Sequence, residues 1–336
     1  MRAIERRAAF GSTGLTVDVS APHSTRFSAP NPPKLPSSAR SAPALLTVSR
    51  ALFDQFRRLI YNETGIWLGN SKTALLCGRL SRRLRTLGVD TLAEYYSLVS
   101  EPEQQLERAF MIDAITTNET QFFRENVHFS FLTESIFPIW RRQAESGRRP
   151  RKIHIWSAGC SSGEEPYSLA MMLRDSFPPA DGWDSRIFAT DISRRMLAAA
   201  REGIYDISKS RAIPPNFLRR YMLKGSASQE GAMKVAREIR HLVDFQFLNL
   251  NCRPYPINEP FDAVFCRNVL IYFDAASKNR VVEGLLDHLS PGGLLFSGHA
   301  ESLCGVNPRL QPILPTVYAL RHQYSIAREL RIDSSS

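Results

Sequence analysis

At 336 residues the chain is longer than most single domains and short for three, so two folded units plus an unstructured part are expected. Hydrophobic residues make up 43%, but no window reaches the roughly 18 unbroken apolar residues of a membrane span, and the five cysteines, odd in number and without a C-x-x-C pair, indicate neither a disulfide framework nor a zinc site. A net charge of +10 admits nucleic acid, anionic lipid or an acidic protein surface as partner without choosing among them.

Residues 1–45 are rich in Ser, Pro, Ala and Arg without periodicity and read as a disordered tail. Their basic start, Met1-Arg2-Ala3-Ile4-Glu5-Arg6-Arg7, is followed by no apolar stretch of signal-peptide length, so a cytoplasmic location is expected. From Thr47 apolar residues recur at helical spacing (Leu52, Phe53, Phe56, Leu59, Ile60), and Asn62-Glu63-Thr64-Gly65 closes that helix. A second helix, Lys72 to Leu87, carries Lys72, Arg79, Arg82, Arg83 and Arg85 with no acid among them and ends at Gly88. Helices near Leu92–Val99 and Gln104–Ile115 complete a helical domain over 46–120. A segment over 121–150 leads onward, in which Phe122 and Phe123 are expected to wedge the two domains together.

Beyond Arg151 strands alternate with helices, which predicts a parallel sheet covered on both faces, an α/β domain over 151–322 with a C-terminal tail over 323–336. Strands are predicted at Lys152–Trp156, Arg186–Thr190, Val243–Phe247, Phe261–Cys266, Leu294–Ser297 and Val317–Leu320, with helices near Glu165–Ser176, Arg194–Arg201 and Ala275–Leu289. The stretch Tyr205–Leu242 is too long for a simple connection, and its Gly225-Ser226-Ala227-Ser228 and Glu230-Gly231 punctuation suggests a small inserted element, placed at about 224–243.

The chemistry concentrates at strand ends. The first strand runs into Ser157-Ala158-Gly159-Cys160-Ser161-Ser162-Gly163-Glu164-Glu165-Pro166, a small-residue loop where a ligand can lie against bare backbone. This is neither the dinucleotide fingerprint nor a phosphate loop, and two glutamates would repel phosphate. The ammonium and sulfonium of S-adenosylmethionine suit them better. Asp191, at the end of the second strand, is placed to accept hydrogen bonds from ribose hydroxyls. Asn249 and Leu250 after the third strand are placed to read and cover an adenine ring, and Arg267-Asn268 after the fourth face the same edge of the sheet.

Four segments in order, Asn118-Glu119-Thr120-Gln121-Phe122-Phe123-Arg124-Glu125, Gly163 to Ser168, Phe265 to Phe273 and Gly298-His299-Ala300-Glu301-Ser302, resemble the CheR-type chemotaxis-receptor glutamate methyltransferases. The resemblance spans about Leu45 to Leu320. It implies a Rossmann-like S-adenosylmethionine-dependent methyltransferase domain with a small inserted β subdomain, preceded by an all-α domain. It also implies methylation of glutamate side chains on the acidic, helical cytoplasmic region of chemoreceptors, with S-adenosyl-L-homocysteine as product and with no metal, nucleic acid or membrane insertion. By the same resemblance the cofactor is held by Asn118, Thr120, Arg124, the Glu164-Glu165 pair, Asp191, Asn249, Leu250, Arg267 and Asn268. Arg124 and Tyr272 fall near the transferred methyl, and Arg79, Arg82 and Arg83 meet the receptor. The inserted element corresponds to one that in some family members captures a receptor tail peptide. His299 reads as a structural hydrogen-bonding residue rather than a catalyst.

Two other readings stand beside this one. The positive charge suits a nucleic-acid methyltransferase, against which Arg267-Asn268-Val269-Leu270 lacks the Asn-Pro-Pro-aromatic signature of base amino-methylation. A silent adenosyl-binding signalling module is the other, and intact Arg124, Asp191, Asn268 and Tyr272 count against it.

Overall fold

The computed structural model describes residues 47–321; the two expected tails lie outside them. Four helices come first: α1 (Arg50–Thr64), α2 (Thr73–Leu87), α3 (Leu92–Ser100) and α4 (Gln105–Ile115). Their ends follow from local chemistry. The Ser49 hydroxyl accepts the Leu52 amide at the start of α1, and Gly65, in the left-handed region that glycine adopts without steric cost, ends it. Thr91 and Glu94 form a reciprocal capping box on α3. The four helices close on a core that includes Phe53, Phe56, Ile60, Leu76, Leu80, Leu84 and Tyr95.

The segment joining the domains comprises α5 (Asn126–Phe131), a π-helical stretch (Leu132–Ile136) and α6 (Phe137–Glu145). Phe122 packs edge-on against Tyr205, and Phe123 stacks on Phe217 at 5.5 Å. Both belong to the core of the α/β domain, so they fasten the segment to the inserted element rather than wedging the two domains together.

The α/β domain runs β1 (Lys152–Ala158), α7 (Glu164–Ser176), β2 (Asp184–Asp191), α8 (Arg194–Glu202), β3 (Ile204–Asp206), α9 (Pro215–Tyr221), β4 (Met222–Lys224), β5 (Ala232–Val235), α10 (Arg237–Arg240), β6 (Val243–Phe247), β7 (Phe261–Cys266), α11 (Ala275–Leu286), β8 (Leu289–Ser297), β9 (Leu310–Leu314) and β10 (Val317–Leu320). Seven strands form one sheet in the order β6-β2-β1-β7-β8-β10-β9. The expectation of a wholly parallel sheet needs correcting at one edge: β10 pairs antiparallel with both β8 and β9. Only Pro315 and Thr316 separate β9 from β10, and a two-residue connection can join only antiparallel neighbours. Side chains pointing to opposite faces of the pleat give two cores, one around Ile155, Phe265 and Phe296 and the other around Trp156, Val264 and Leu295.

The inserted element is a separate three-stranded sheet, β3-β5-β4. It opens at Ile204, some way before the expected 224, because the short Ile-Tyr-Asp strand pairs with β5 across a long sequence gap. By Val243 the chain is already back in the main sheet.

Candidate functional site

β1, β2, β6 and β7 end along one edge of the sheet, and the helical domain closes over that edge. Between them lies a cavity of about 370 Å³, within the size range of small-molecule sites. Gly159 lines it, and Gly163 closes the same loop before α7. Both have positive φ, and a Cβ on Gly159 would stand 2.4 Å from Val269 Cγ2 while one on Gly163 would stand 2.9 Å from Ala200 Cβ. Only glycine lets the loop after β1 pass so close to its neighbours.

Of the residues predicted for the cofactor, Asn118, Thr120, Arg124, Glu165, Asp191, Asn249, Leu250, Arg267 and Asn268 all line this cavity, as does Tyr272. Glu164 does not, and is a correction to the predicted set. It is the first residue of α7, fully buried, and its carboxylate is spent on Lys209 of the inserted element and on the Ser162 hydroxyl. One residue further along the helix, about 100° around it, Glu165 turns toward the cavity.

The carboxylates facing the cavity are set by backbone and by one arginine. Asp191 accepts the Ser161 amide on one oxygen and the Ser193 amide on the other, both at 2.8 Å. Burial pushes its carboxyl up from the usual range, and those amides pull the other way. Burial likewise raises Glu165, opposed by Arg267 at 3.1 Å and by the Ser157 hydroxyl at 2.7 Å. Arg267 is itself buried and also lies 3.0 Å from Glu125. Burial works to raise Glu125 too, but the Arg267 charge prevails and holds this carboxyl below its usual range. Glu165 and Asp191 are thus the carboxylates that line the cavity and complement a cation there, with Glu125 behind Arg267 balancing the guanidinium charge.

Asn249 lines the cavity and also joins the two domains. Its amide nitrogen donates to the Glu63 carbonyl at the end of α1 and its oxygen accepts the Asn251 amide, so it ties the helical domain to the sheet edge. Other residues lining the cavity went unpredicted. Trp67, Lys72 and Leu75 come from the helical domain, and the Trp67 amide donates to the Tyr272 carbonyl at 2.8 Å. Glu301 sits behind the cavity, 1% exposed. One of its oxygens accepts the Asn268 and Gly298 amides and the other the Ile271 amide, which fixes the loop after β7 that presents Asn268 and Tyr272. The signal was available: an acid within the recognised Gly298–Ser302 segment, directly after a buried strand.

The predicted docking arginines divide. Arg79 is half-buried and its guanidinium donates to the Ile115 carbonyl and the Thr117 hydroxyl. Arg83 forms a two-pronged pair with Glu107 of α4, to which Tyr95 also donates at 2.8 Å. The helix is therefore not without an acidic partner: α4 supplies one. Arg82 remains exposed, as does Arg85. His299 is 56% exposed, near Glu125 and edge-on to His128.

Residues 118–319 match the model of the CheR methyltransferase SAM-binding domain, and residues 51–116 that of the CheR methyltransferase all-alpha domain. A chemotaxis protein methyltransferase of Salmonella typhimurium is 39% identical over 291 residues, covering 85% of this chain and 97% of that protein. Its Escherichia coli counterpart is 39% identical over 276 residues, 82% of this chain and 92% of the relative. Chemotaxis protein methyltransferase 2 of Pseudomonas aeruginosa is 40% identical over 273 residues, 81% and 93%.

Proposed function

The chain belongs to the CheR methyltransferase family and is an S-adenosylmethionine-dependent methyltransferase, and from that premise we propose that it esterifies glutamate side chains in the acidic helical region of chemoreceptors in the cytoplasm. The observation that carries this reading is the pairing, in one cavity, of a cation-complementary wall with an arginine and a tyrosine. Glu165, Asp191, Arg124 and Tyr272 all line it, and the reading gives the two acids to the cofactor and the arginine and tyrosine to the acceptor.

The residues fit the cofactor chemically. The Glu165 carboxyl suits its ammonium, Asp191 retains lone pairs for ribose hydroxyls beyond those given to Ser161 and Ser193, and bare Gly159 backbone lets the ligand approach. When bound, S-adenosylmethionine supplies a methyl group on a sulfonium, a good electrophile. The acceptor glutamate, with an ordinary pKa of about 4.3, is already ionised near neutral pH and requires no general base. The protein's task is alignment and exclusion of water, which in well-ordered cases contributes about 7–11 kcal/mol. Arg124, held through its Nη1 by the Glu119 carbonyl at 2.9 Å, orients the acceptor carboxylate. Tyr272, half-buried and tied by its carbonyl to Trp67, shapes the methyl channel. Arg82 and its exposed neighbour Arg85 meet the acidic receptor face, while Arg79 and Arg83 hold the helix that presents them. The inserted sheet is the candidate seat for a receptor tail peptide.

Transfer of labelled methyl to receptor-containing membranes, followed by mild alkali, tests the reading. Volatile methanol identifies a carboxyl ester; a base-stable label moves the acceptor to nitrogen or nucleic acid. Arg124→Ala and Tyr272→Phe are expected to lower kcat at least about tenfold with cofactor affinity nearly unchanged. A parallel fall in affinity for Arg124→Ala would reassign that residue to the cofactor.

A further inference from the structure

Behind Arg267, on the side away from the cavity, three metal-ligating side chains converge. Glu125 precedes α5 and His128 lies three residues on, the i, i+3 spacing that brings a carboxylate and an imidazole to one helix face. Glu125 has φ +57, a left-handed conformation that non-glycine residues seldom adopt. His299 arrives from the turn after β8. Their donor atoms all lie within 4.8 Å of one another, with His128 Nδ1 at 3.8 Å and His299 Nε2 at 3.9 Å from Glu125 Oε2.

The hydrogen bonding around His128 fixes what faces the cluster. Thr316 donates its only hydroxyl proton to the Pro315 carbonyl at 2.6 Å. With its proton on Nε2, donated to Thr316 Oγ1 at 2.8 Å, the neutral imidazole presents Nδ1 to the cluster as a lone pair. His128 is 1% exposed, and neither its Nδ1 nor Glu125 Oε2 has a hydrogen-bond partner among the described residues. His128 Nδ1 thus faces the Glu125 carboxylate at 3.8 Å, and the charge nearest that oxygen is the Arg267 guanidinium. Arg267 stands 3.0 Å from the same carboxylate oxygen but directs its hydrogen bonds to Glu165 and to the Arg124 carbonyl.

We propose that Glu125, His128 and His299 form a binding site for a divalent transition metal of the zinc class. Bonds of about 2.0–2.2 Å place tetrahedral donors about 3.4 Å apart, so the two spacings to Glu125 must close by about half an ångström and the imidazole pair, within 4.8 Å, by up to about 1.4 Å, the exposed His299 taking the larger movement. Two imidazoles and one carboxylate select zinc, cobalt or nickel over magnesium and calcium, which take oxygen ligands. His128 already has the outer partner typical of a metal-bound histidine, in Thr316. The neighbouring Arg267 charge opposes the ion and sets a modest affinity. Reading the sequence for metal spacing could not find this site, because His299 lies far along the chain from Glu125 and His128.

The test uses the chelator-treated full chain titrated with zinc chloride by calorimetry. One zinc per chain is expected, not displaced by excess magnesium. Cobalt in its place should give ligand-field absorption bands without thiolate charge transfer. His299→Ala, a change at an exposed side chain, should weaken zinc binding at least about tenfold while leaving the unfolding midpoint unchanged. Cys252→Ser/Cys304→Ser, which removes the two exposed thiols, should bind zinc as the unaltered protein does. Absence of a stoichiometric site, displacement by magnesium, wild-type binding by His299→Ala, or loss of binding in the cysteine variant would each overturn the proposal.

Discussion

The helical domain and the strand-end cavity both bury carboxylates, and they use them in opposite ways. Glu107 is surrounded by its own partners, with Arg83 in a two-pronged pair and Tyr95 on one of the same oxygens. It faces no cavity. Glu165 and Asp191 are also held by internal partners, but each opens onto the cavity, and burial raises both above their usual range. A buried charge whose partners are all internal acts as a fastener, whereas one that keeps an open side in a low-dielectric cleft is poised for a ligand.

The sharpest way to break this comparison is to remove each carboxylate and measure both stability and cofactor binding. Glu107→Ala leaves a guanidinium and a phenol without their partner and should cost about 3–5 kcal/mol in chemical denaturation. Replacing Arg83 by Met and Glu107 by Leu together should return part of that loss. Asp191→Ala should instead cost about 3 kcal/mol of cofactor affinity by calorimetry, about a hundredfold, through lost hydrogen bonds to a charged acceptor. If Glu107→Ala weakened binding as much as Asp191→Ala, the distinction between the two regions would fail.

Glu165 should separate from Glu164 by about tenfold. Glu165→Gln weakens cofactor binding by that factor, whereas Glu164→Gln loosens only the contact with Lys209. Acidity gives the same comparison a direction. The raised pKa of Glu165 means that, in the window above 4.5, lowering the pH protonates it in the folded protein before the unfolded chain. Its contribution to folding stability is fully present below 4.5 and is lost as pH rises through the raised folded value. Affinity for the cofactor ammonium moves oppositely, falling on acidification through that window, and Glu165→Gln should flatten the fall. The smallest effect belongs to exposed Arg82: Arg82→Ala should leave stability within about 0.5 kcal/mol and raise KM for receptor a few-fold at low salt, with less effect at high salt.

Local patterns carried much of this molecule. The end of α1 and the boundaries of α2 to α4 were legible to within a residue or two, because Gly65 and Gly88 stop helices and apolar residues repeat every three or four positions. The cavity-lining residues at strand ends were legible because a parallel strand followed by a small-residue loop delivers its end to a common edge. What failed depended on partners distant in sequence. No local pattern distinguishes Glu164 from Glu165, since the difference is which way one turn of helix faces. Nor does the α2 sequence reveal that Arg83 is claimed by Glu107 on another helix.

The amino-acid sequence thus determined the succession of elements, the two-domain plan and the residue types along the cleft, since caps, periodicity and loop chemistry act over a few positions. Only the tertiary structure decided which charges are free and which are spent, where the small sheet begins, that the last strands run antiparallel, and that Glu125, His128 and His299 meet. Those outcomes turn on pairings between distant segments, where burial strengthens each electrostatic contact and makes an unpaired group costly.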